Sequence, residues 1–421
     1  MWIDRFGARV VLLNDPAALR RVLVANADGY GFPAIRQRLL RPTLRDGLLT
    51  AEGEAWRRAR RSLAPLFAPS AIRGLAPAMR DHAMAHASRY RDGARIDAAD
   101  DMLDLAYDVM ATTLFSGEIA GDPERTARRF ERVIATLGRV DPLDLLGAPA
   151  WVPRPLKWRG AAANATLRAT VRRTVRARRS MAGRGDLLDI LLAAEREGGL
   201  RGREVEDNVI TFMAAGHETT ARALAWTLYC LARSPWDREG VEREIDGAWD
   251  ALGAPDSWIG ALPRTRAAFE EAMRLYPPVT MLSRHALAPD PETHPAIAAG
   301  TVVAIVPWTL HRHRALWHEP DAFRPERFWP GARESIDRYQ YLPFGAGPRV
   351  CIGATFALWE GVIALAVLLR HYRFEADAGA SPVPVQRVTT QPAGGLPMRV
   401  RLRRAIGAVP EGEGDERGVT G

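Results

Sequence analysis

The sequence contains very little cysteine and almost no lysine. Only two cysteines, Cys230 and Cys351, occur in 421 residues, and they lie far apart. This spacing excludes a disulfide framework and a zinc site built from paired cysteines, and it fits a reducing cytoplasm. Lys157 is the only lysine, so arginine supplies nearly all the basic residues behind the net charge of +8.

The arginine excess has two interpretations. It fits a codon bias toward arginine, which is the ordinary explanation, or a surface that attracts an acidic partner. The arginines are scattered along the chain, and no recognisable nucleic-acid-binding module organises them. We therefore expect no nucleic-acid partner.

Long apolar runs are also missing. No uncharged apolar run reaches the ~18 residues of a membrane-spanning helix, and the charged segment Met1–Val11 does not resemble a signal peptide. We therefore expect a cytoplasmic protein without a membrane anchor. For the segment Leu145–Trp158, a lid and a contact with a membrane surface both stay open.

The apolar periodicity predicts a mainly α-helical chain with minor β structure. Helical patterns dominate from Glu54 to Asp122 and from Ala161 to Leu252. Four segments have strand patterns: Ala8–Leu13, Val279–Ala288, Thr301–Trp308 and Val383–Leu402. Because both ends contribute strands, we expect a single α+β domain over residues 1–404. The small, acidic, glycine-rich residues 405–421 are predicted to be a disordered tail.

Local signals place the connections between these elements. Asp15 and Pro16 predict a helix start, because aspartate caps helices and proline suits the first turn. Residues Asp28–Glu52 are predicted to be a long functional loop with short helical pieces. Four prolines predict a loop over Asp141–Trp158, and Asp101–Phe115 reads as an amphipathic helix.

A glycine-rich loop ends at Cys351. The run FGAGPRVCIG bends just before this cysteine, and an apolar helix is predicted from about Thr355 to Leu369. Cys351 therefore lies near a helix N-terminus, where free N–H groups and the helix dipole favour a negative sulfur. A free cysteine is usually a small buried hydrophobe, but the glycines and Arg349 indicate a thiolate beside a large flat group.

Five positions of this loop resemble the haem-binding signature of the cytochrome P450 family: Phe344, Gly347, Arg349, Cys351 and Gly353. The resemblance implies that family's fold, a large helical lobe with a long central helix and a small β-rich lobe. It also implies haem b with Cys351 as the axial ligand of its iron, and an oxidoreductase that inserts one atom of O2 into its substrate. The family's first helix has no counterpart before the predicted first strand, so two interpretations stay open: the true start lies upstream of Met1, or the chain is short there.

A second motif, Ala215-Gly216-His217-Glu218-Thr219-Thr220, lies in a predicted long helix, Asn208–Ala232, and resembles the family's oxygen-activation motif. Gly216 removes a side chain where a ligand must approach the backbone. Thr219 can bond back to the Ala215 carbonyl and widen the turn for dioxygen and water. The resemblance implies that Glu218 delivers protons and that Thr219 steadies dioxygen. Taken alone, this motif fits an ordinary solvated helix.

The haem propionates require cations. Trp56 and Arg60 share one face of a predicted helix, and the resemblance assigns this pair to one propionate. Arg349 and Arg284 are expected to be further clamps, since a guanidinium binds carboxylates bidentately. A surface position is the alternative for Arg284.

Three charged residues are assigned a scaffold role. Glu271 and Arg274 lie three residues apart on a predicted helix, and Arg327 follows in the segment Pro325-Glu326-Arg327-Phe328. The resemblance implies that the three form a buried triad under the cysteine loop. Because breaking such a triad is costly, its role is expected to be structural.

Substrate and electron donor are predicted more coarsely. Asp28–Thr50, the region near Trp151, the helix before Gly216 and Val279–Ser283 are rich in apolar residues, which indicates an apolar small-molecule substrate. No flavin, nicotinamide or iron–sulfur pattern occurs, so we expect a separate ferredoxin or flavodoxin with its reductase. An acidic carrier fits the arginine-rich surface.

Two other functions stay open at this point. One is a haem-based sensor or ligand-binding protein without turnover, and the other is a peroxide-driven or isomerising enzyme. The pair Glu218–Thr219 favours a monooxygenase over both, because neither alternative needs proton delivery to dioxygen.

Overall fold

Helices make up most of the described chain. A computed structural model describes residues 2–5, 8–117, 155–181, 183–249, 254–377, 379 and 381–404. Its helices are, in chain order, α1 (Pro16–Arg20), α2 (Ala34–Leu44), α3 (Gly53–Leu63), α4 (Pro69–Ala87), α5 (Ala98–Phe115), α6 (Pro155–Arg179), α7 (Leu187–Arg196), α8 (Glu204–Arg233), α9 (Pro235–Trp249), α10 (Trp258–Ala261), α11 (Pro263–Leu275), α12 (Pro307–Leu310) and α13 (Ala354–His371). A π-helical turn, Arg21–Ala25, continues α1.

The strands are short and form three sheets. In chain order they are β1 (Trp2–Arg5), β2 (Ala8–Leu12), β3 (Tyr30–Gly31), β4 (Arg95–Asp97), β5 (Leu282–Ala286), β6 (Val302–Ile305), β7 (Tyr372–Ala376), β8 (Pro384–Gln386), β9 (Thr390–Pro392) and β10 (Pro397–Leu402). The sheet orders are β1-β2-β6-β5-β3, β4-β10-β7 and β8-β9. Within the first sheet β2 pairs parallel with β6, with Val10 opposite Val302. Strands from the two ends of the chain therefore share sheets.

The long helix α8 is the centre of the helical part and packs most extensively against α5. Glu204, Glu206 and Asp207 lie in its first turn and Arg233 in its last, so the charges at both ends complement the helix dipole. Its buried residues include Trp226, which is among the largest fully buried side chains. The helix is thus a rigid support for the motif at its middle.

The structure confirms the predicted fold class, mainly α with minor β, and most of the predicted elements. The helix α8 includes the predicted Asn208–Ala232, and α13 includes Thr355–Leu369. Asp15 caps α1 as predicted, because its Oδ2 accepts a hydrogen bond of 2.8 Å from the Ala18 N–H. Helix α2 is the largest helical piece in the predicted loop Asp28–Glu52.

One predicted segment needs correction, and parts of two predicted segments lie outside the described residues. The predicted loop Asp141–Trp158 is wrong at its end, because α6 begins at Pro155, a residue type suited to the first helical turn. The remainder of this segment and the tail 405–421 lie outside the described residues.

One described helix, α13 (Ala354–His371), is long and apolar enough to span a membrane, but 78% of it is buried inside the protein. It packs against α4 and α11 and leads into β7. Its apolar character is therefore explained by its place in the core.

Candidate active site

The loop before Cys351 depends on two glycines with left-handed backbone. Gly345 has φ 71° and Gly347 has φ 74°, conformations that glycine adopts without a steric penalty. A Cβ on Gly347 would lie 1.8 Å from the Leu23 carbonyl oxygen, so no other residue fits there. The loop closes where the Cys351 N–H donates to the Phe344 carbonyl over 2.9 Å.

The Cys351 side chain borders an internal space. It has accessible surface, yet burial raises the pKa of its thiol, while the Gly353 N–H and Arg60 act to lower that pKa. Gly353 is the N-cap of α13. The predicted effect of the helix end is present, because the Gly353 N–H lowers the pKa, but burial is the larger cause and raises the pKa of the thiol overall. A further positive charge beside the sulfur would favour the thiolate.

The predicted charge triad is assembled beneath this loop. Arg274 donates to both carboxylate oxygens of Glu271 over 2.7 and 2.8 Å, and Arg327 Nε lies 3.4 Å from Glu271 Oε1. Glu271 and Arg274 have no accessible surface. Three backbone carbonyls, of His311, Pro320 and Ala322, accept the remaining hydrogen bonds of Arg274.

His311 connects the triad to the cysteine loop. Its carbonyl accepts from Arg274 over 2.8 Å, and its ring Nε2 accepts from the Leu342 N–H over 2.9 Å. Burial lowers the pKa of His311 to about 3, so the ring is neutral and can accept this bond. Leu342 is two residues before Phe344, and the triad therefore fixes the start of the loop.

The motif in α8 has the predicted threonine hydrogen bond but not the predicted widened turn. Thr219 Oγ1 donates to the Ala215 carbonyl over 2.9 Å. The helix is continuous from Glu204 to Arg233, because a threonine can bond the carbonyl four residues back without breaking the helix. Ala215 is exposed and Thr219 half-buried, although both lie in the middle of a buried helix. They therefore face the interior space.

Gly216 has a packing role in addition to the predicted one, which stays a prediction. A Cβ on Gly216 would lie 3.3 Å from the Met110 sulfur and 3.4 Å from its Cγ. The glycine thus allows α8 and α5 to pack closely.

Glu218 lies on another side of α8 from Thr219. It is 4% exposed, and its Oε1 accepts two hydrogen bonds of 2.7 Å, from Thr389 Oγ1 and from Gln391 Nε2. Both donors belong to the hairpin of β8 and β9. The predicted acid is therefore held by residues more than 170 positions away in sequence.

Guanidinium groups gather around two aromatic rings. Arg349 stacks 3.9 Å from the Trp56 ring centroid and 4.8 Å from that of Phe32. Arg36 lies 3.6 Å and Arg284 5.4 Å from the same Phe32 ring. Three of the predicted clamps, Trp56, Arg284 and Arg349, are thus brought together, and Arg36 joins them.

This cluster has excess positive charge. Burial lowers the pKa of Arg36, Arg284 and Arg349 to about 10 each, and for Arg36 the charges of the other two add to the effect. Glu52 is the nearby acidic residue that opposes it. Arg36 Nη1 is buried and has no hydrogen-bond partner among the described residues. The cluster therefore suits an anionic ligand with several oxygen atoms.

Arg60 interacts electrostatically with both the sulfur and Arg349 of the arginine cluster. Burial lowers its pKa, and the Cys351 side chain acts to raise it. Arg60 is half-buried on α3, one turn after Trp56. A cation at this position stabilises a negative sulfur.

The residues of this interior space fit haem. A buried thiol with a raised pKa becomes a thiolate beside a positive metal centre, and the group's two propionates match the uncompensated arginines. Phe67 stacks on Phe212 with centroids 5.4 Å apart, and it would lie 3.9 Å from a Cβ on Gly353. Aromatic and apolar side chains thus border the sulfur, as a flat apolar macrocycle requires.

Four residues of the site were missed from the sequence. Phe32 and Arg36 lie in the predicted loop, where one arginine among many carries no signal. Thr389 and Gln391 follow a strand pattern, and their contact with Glu218 exists only in three dimensions. The available clue to Phe32 and Arg36 was their spacing. An arginine follows an aromatic residue by four positions, as it does in Trp56 and Arg60.

Comparison with known proteins gives consistent matches over nearly the whole chain. The profile of the cytochrome P450 family matches residues 1–396. A cyclooctat-9-en-7-ol 5-monooxygenase from Streptomyces melanosporofaciens is 33% identical over 381 residues, 89% of this chain and 82% of that protein. A pentalenene oxygenase from Streptomyces avermitilis is 32% identical over 370 residues, 85% of this chain and 79% of that protein.

Solved structures show the same similarity. The haem domain of cytochrome P450DA superposes with a TM-score of 0.82 at 27% identity, covering 96% of this chain and 90% of that one. A six-coordinated cytochrome P450 from Thermus thermophilus superposes with a TM-score of 0.72 at 27% identity, covering 93% of this chain and 92% of that one.

Proposed function

The chain belongs to the cytochrome P450 family, and we propose that its substrate is an apolar terpenoid. It is a haem-thiolate monooxygenase that inserts one atom of O2 into a small apolar molecule, using electrons from separate redox partners. When bound, the haem supplies the binding and activation of dioxygen. The residues of this chain hold the haem, orient it and deliver protons.

Cys351 is proposed to be the residue whose sulfur would hold the haem. The observation that carries this assignment is geometric: the Cys351 thiol has accessible surface, whereas Cys230 is buried, and its loop is closed by the hydrogen bond from the Cys351 N–H to the Phe344 carbonyl. Such a thiol gains little from ionising until a metal cation is beside it. Arg60 and the Gly353 N–H then stabilise the negative sulfur.

The arginine cluster is proposed to bind the propionates. Arg284 and Arg349 form it with Arg36, and Trp56 orients Arg349 by stacking at 3.9 Å. A carboxylate placed among these guanidinium groups removes their mutual repulsion. Phe344, Ala215 and Gly353 are proposed to contact the apolar macrocycle, and the packing of Gly216 on α5 keeps Ala215 in place.

Glu218 and Thr219 are proposed to handle protons and dioxygen. Thr219 faces the internal space and its hydroxyl donates to the Ala215 carbonyl, so its oxygen remains an acceptor. Glu218 has a carboxyl group, adjacent in sequence to Thr219, that can take up and release a proton. Dioxygen cleavage requires such delivered protons.

The substrate proposal rests on relatives and on apolar lining. Relatives about one-third identical are named for the oxidation of pentalenene and of cyclooctat-9-en-7-ol. Met281 and Leu49, in the segments Val279–Ser283 and Asp28–Thr50, are exposed hydrophobic side chains. Exposed apolar side chains in these two segments suit a hydrocarbon-rich ligand.

The redox partner is proposed to be a ferredoxin or a flavodoxin with its reductase, and the location is proposed to be the cytoplasm. The chain carries a net charge of +8, so an acidic carrier would be steered to it electrostatically. Two unpaired cysteines are consistent with a reducing compartment.

The first test is the spectrum of the reduced, haem-loaded protein with carbon monoxide. A thiolate ligand shifts the main band far to the red, and we expect this shift in the wild-type chain. Cys351→Ser should abolish the shift, while the matched variant Cys230→Ser, at a buried position near the end of α8, should keep it. An unshifted band in folded, haem-loaded wild-type protein would show that Cys351 is not the ligand.

The substrate class is tested with a panel of terpenoids, fatty acids and polyketide-like molecules. Binding near the iron changes its spin state and hence the absorption spectrum, and we expect the largest change with a terpenoid. Product analysis then shows whether that compound gains one oxygen atom. A response confined to fatty acids would refute the terpenoid assignment and leave the monooxygenase assignment unaffected.

A further inference from the structure

The hydrogen bonds at Glu218 have a fixed direction. Gln391 Nε2 lies 3.2 Å from Thr389 Oγ1 and 2.7 Å from Glu218 Oε1, and an amide nitrogen can only donate. The Thr389 oxygen therefore accepts from Gln391, and its single hydrogen points to Glu218 Oε1, 2.7 Å away. Two donors thus converge on Oε1, which must be an acceptor. Any proton on this carboxyl group must be on Oε2.

We propose that Thr389 and Gln391 are positioning residues that reserve Glu218 Oε1 as an acceptor and leave Oε2 to take up and release protons. This inference rests on the proposed role of Glu218 in proton delivery. It adds two residues, both outside the recognised motif, to the machinery of oxygen insertion.

The two donors are held rigidly by the rest of the hairpin. Thr390, between them, donates from its N–H to the Pro278 carbonyl over 3.1 Å and from its hydroxyl to the Pro277 carbonyl over 2.6 Å. Its own carbonyl accepts from Trp226 Nε1 over 3.1 Å. Trp226 stacks on Tyr276 with centroids 3.9 Å apart. Preorganised donors of this kind fix the plane of the carboxyl group.

The carboxyl plane matters because Glu218 and Thr219 point in different directions. Successive residues on an α-helix are rotated by about 100°, and the two side chains accordingly contact the hairpin and the internal space respectively. A freely rotating carboxyl group would exchange its two oxygens and present the wrong one for part of the time. Fixing Oε1 makes the position of Oε2, and of its proton, constant.

The hairpin offers a set of matched variants. Thr389→Val and Gln391→Leu each remove one donor with little change in volume, and Thr389→Ser restores the hydroxyl. Gln386→Leu makes the same chemical change as Gln391→Leu at an exposed position of β8. All four are made in the full-length, haem-loaded protein.

Infrared difference spectroscopy reads the carboxyl group directly. Subtraction of a Glu218→Gln spectrum isolates the bands of Glu218, whose frequencies depend on the hydrogen bonds to each oxygen. We expect a shift of these bands in Thr389→Val and Gln391→Leu. Thr389→Ser and Gln386→Leu should give the wild-type bands. Unshifted bands in both donor-removing variants would overturn the proposal.

Turnover tests the consequence for proton delivery. The substrate is the terpenoid that gives the largest spin-state change. We expect Thr389→Val and Gln391→Leu each to lower the amount of product formed per reductant by roughly 10-fold, because each removes one hydrogen bond to a charged group. The remaining reductant should be diverted to peroxide. Shifted bands with unchanged product yield would refute the positioning role. If the wild-type chain oxidises no compound in the panel, the proposed function fails, and the infrared shifts still decide whether the two donors reserve Oε1.

Discussion

Arg36 has an exceptional position for a charged side chain. Its Nη2 donates to the Leu49 carbonyl over 3.0 Å, whereas its Nη1 is buried without a partner among the described residues. A buried donor without a partner costs free energy, and two other guanidinium groups repel it. This cost is explained if a haem propionate accepts from Nη1 in the loaded protein.

The first prediction follows from this unpaired donor. Arg36→Leu should release haem roughly 10-fold faster than the wild-type chain, because a hydrogen bond to a charged group contributes about 1.5–3 kcal/mol. Transfer of haem to an excess of apomyoglobin measures the rate. Arg38→Leu, at an exposed position of the same helix, is the control and should release haem at the wild-type rate. Equal rates in all three proteins would exclude Arg36 from the propionate site.

At the scale of residues, the sequence predicted which side chains carry the chemistry better than it predicted which residues contact those side chains. The hydrogen bond from Thr219 to Ala215 depends on a local spacing of four and was predicted. The contact of Glu218 with Thr389 joins residues 171 positions apart, and no spacing rule reaches that far. For Cys351 the local sequence predicted the helix-end effect of the Gly353 N–H but not the burial that raises the pKa of the thiol.

The triad of Glu271, Arg274 and Arg327 acts at the scale of elements, since it joins α11 to the segment that leads toward the cysteine loop. Glu271 also accepts from the Arg324 N–H over 2.8 Å. Ion pairs without solvent contact depend on complete pairing, because one unpaired buried charge is strongly unfavourable.

The second prediction concerns this junction. Glu271→Gln should lower the free energy of unfolding by about 3–5 kcal/mol, because it leaves Arg274 buried without its counter-charge. Arg266→Ala removes a half-exposed pair with Glu270 of the same helix and should cost less than about 1 kcal/mol. Urea unfolding of the haem-loaded proteins compares the two. Similar losses in both variants would argue against a special structural role of the triad.

The elements themselves were predictable to different degrees. Helices such as α5, α8 and α13 carry their own apolar periodicity and were located from it. Strand β7 was missed because Tyr372–Ala376 follows α13 without a turn signal. It is a strand because Val400 and Leu402 of β10 pair with Phe374 and Tyr372. Residues from elsewhere in the chain thus determine whether a short segment forms a strand, just as they determine the hydrogen-bond partners of Glu218.

At the scale of the whole molecule, stability against pH depends on a carboxyl group that the proposed chemistry does not use. Glu360 lies in α13 and is 1% exposed, and the Thr220 hydroxyl is close enough to interact with its carboxyl group. Burial raises its pKa well above the ordinary value, with the Thr220 hydroxyl opposing the rise. The folded protein therefore retains a proton on Glu360 at a pH where the unfolded chain has lost it.

The third prediction follows from this difference in proton binding. An unfolded glutamate titrates at about 4.3, so from that pH upward to the raised pKa of the folded state, the contribution of Glu360 to stability falls. The slope is up to about 1.4 kcal/mol per pH unit, and it ends where the folded carboxyl group also ionises.

Glu360→Gln keeps the shape of the protonated acid but binds no proton, so the stability of this variant relative to wild type should rise between pH 5 and pH 8. Thermal unfolding of both haem-loaded proteins across this range, with the carbon monoxide spectrum as a check on the site, gives the difference at each pH. A constant difference across the range would mean that Glu360 has the same protonation in the folded and unfolded states, and therefore that its surroundings in solution are polar.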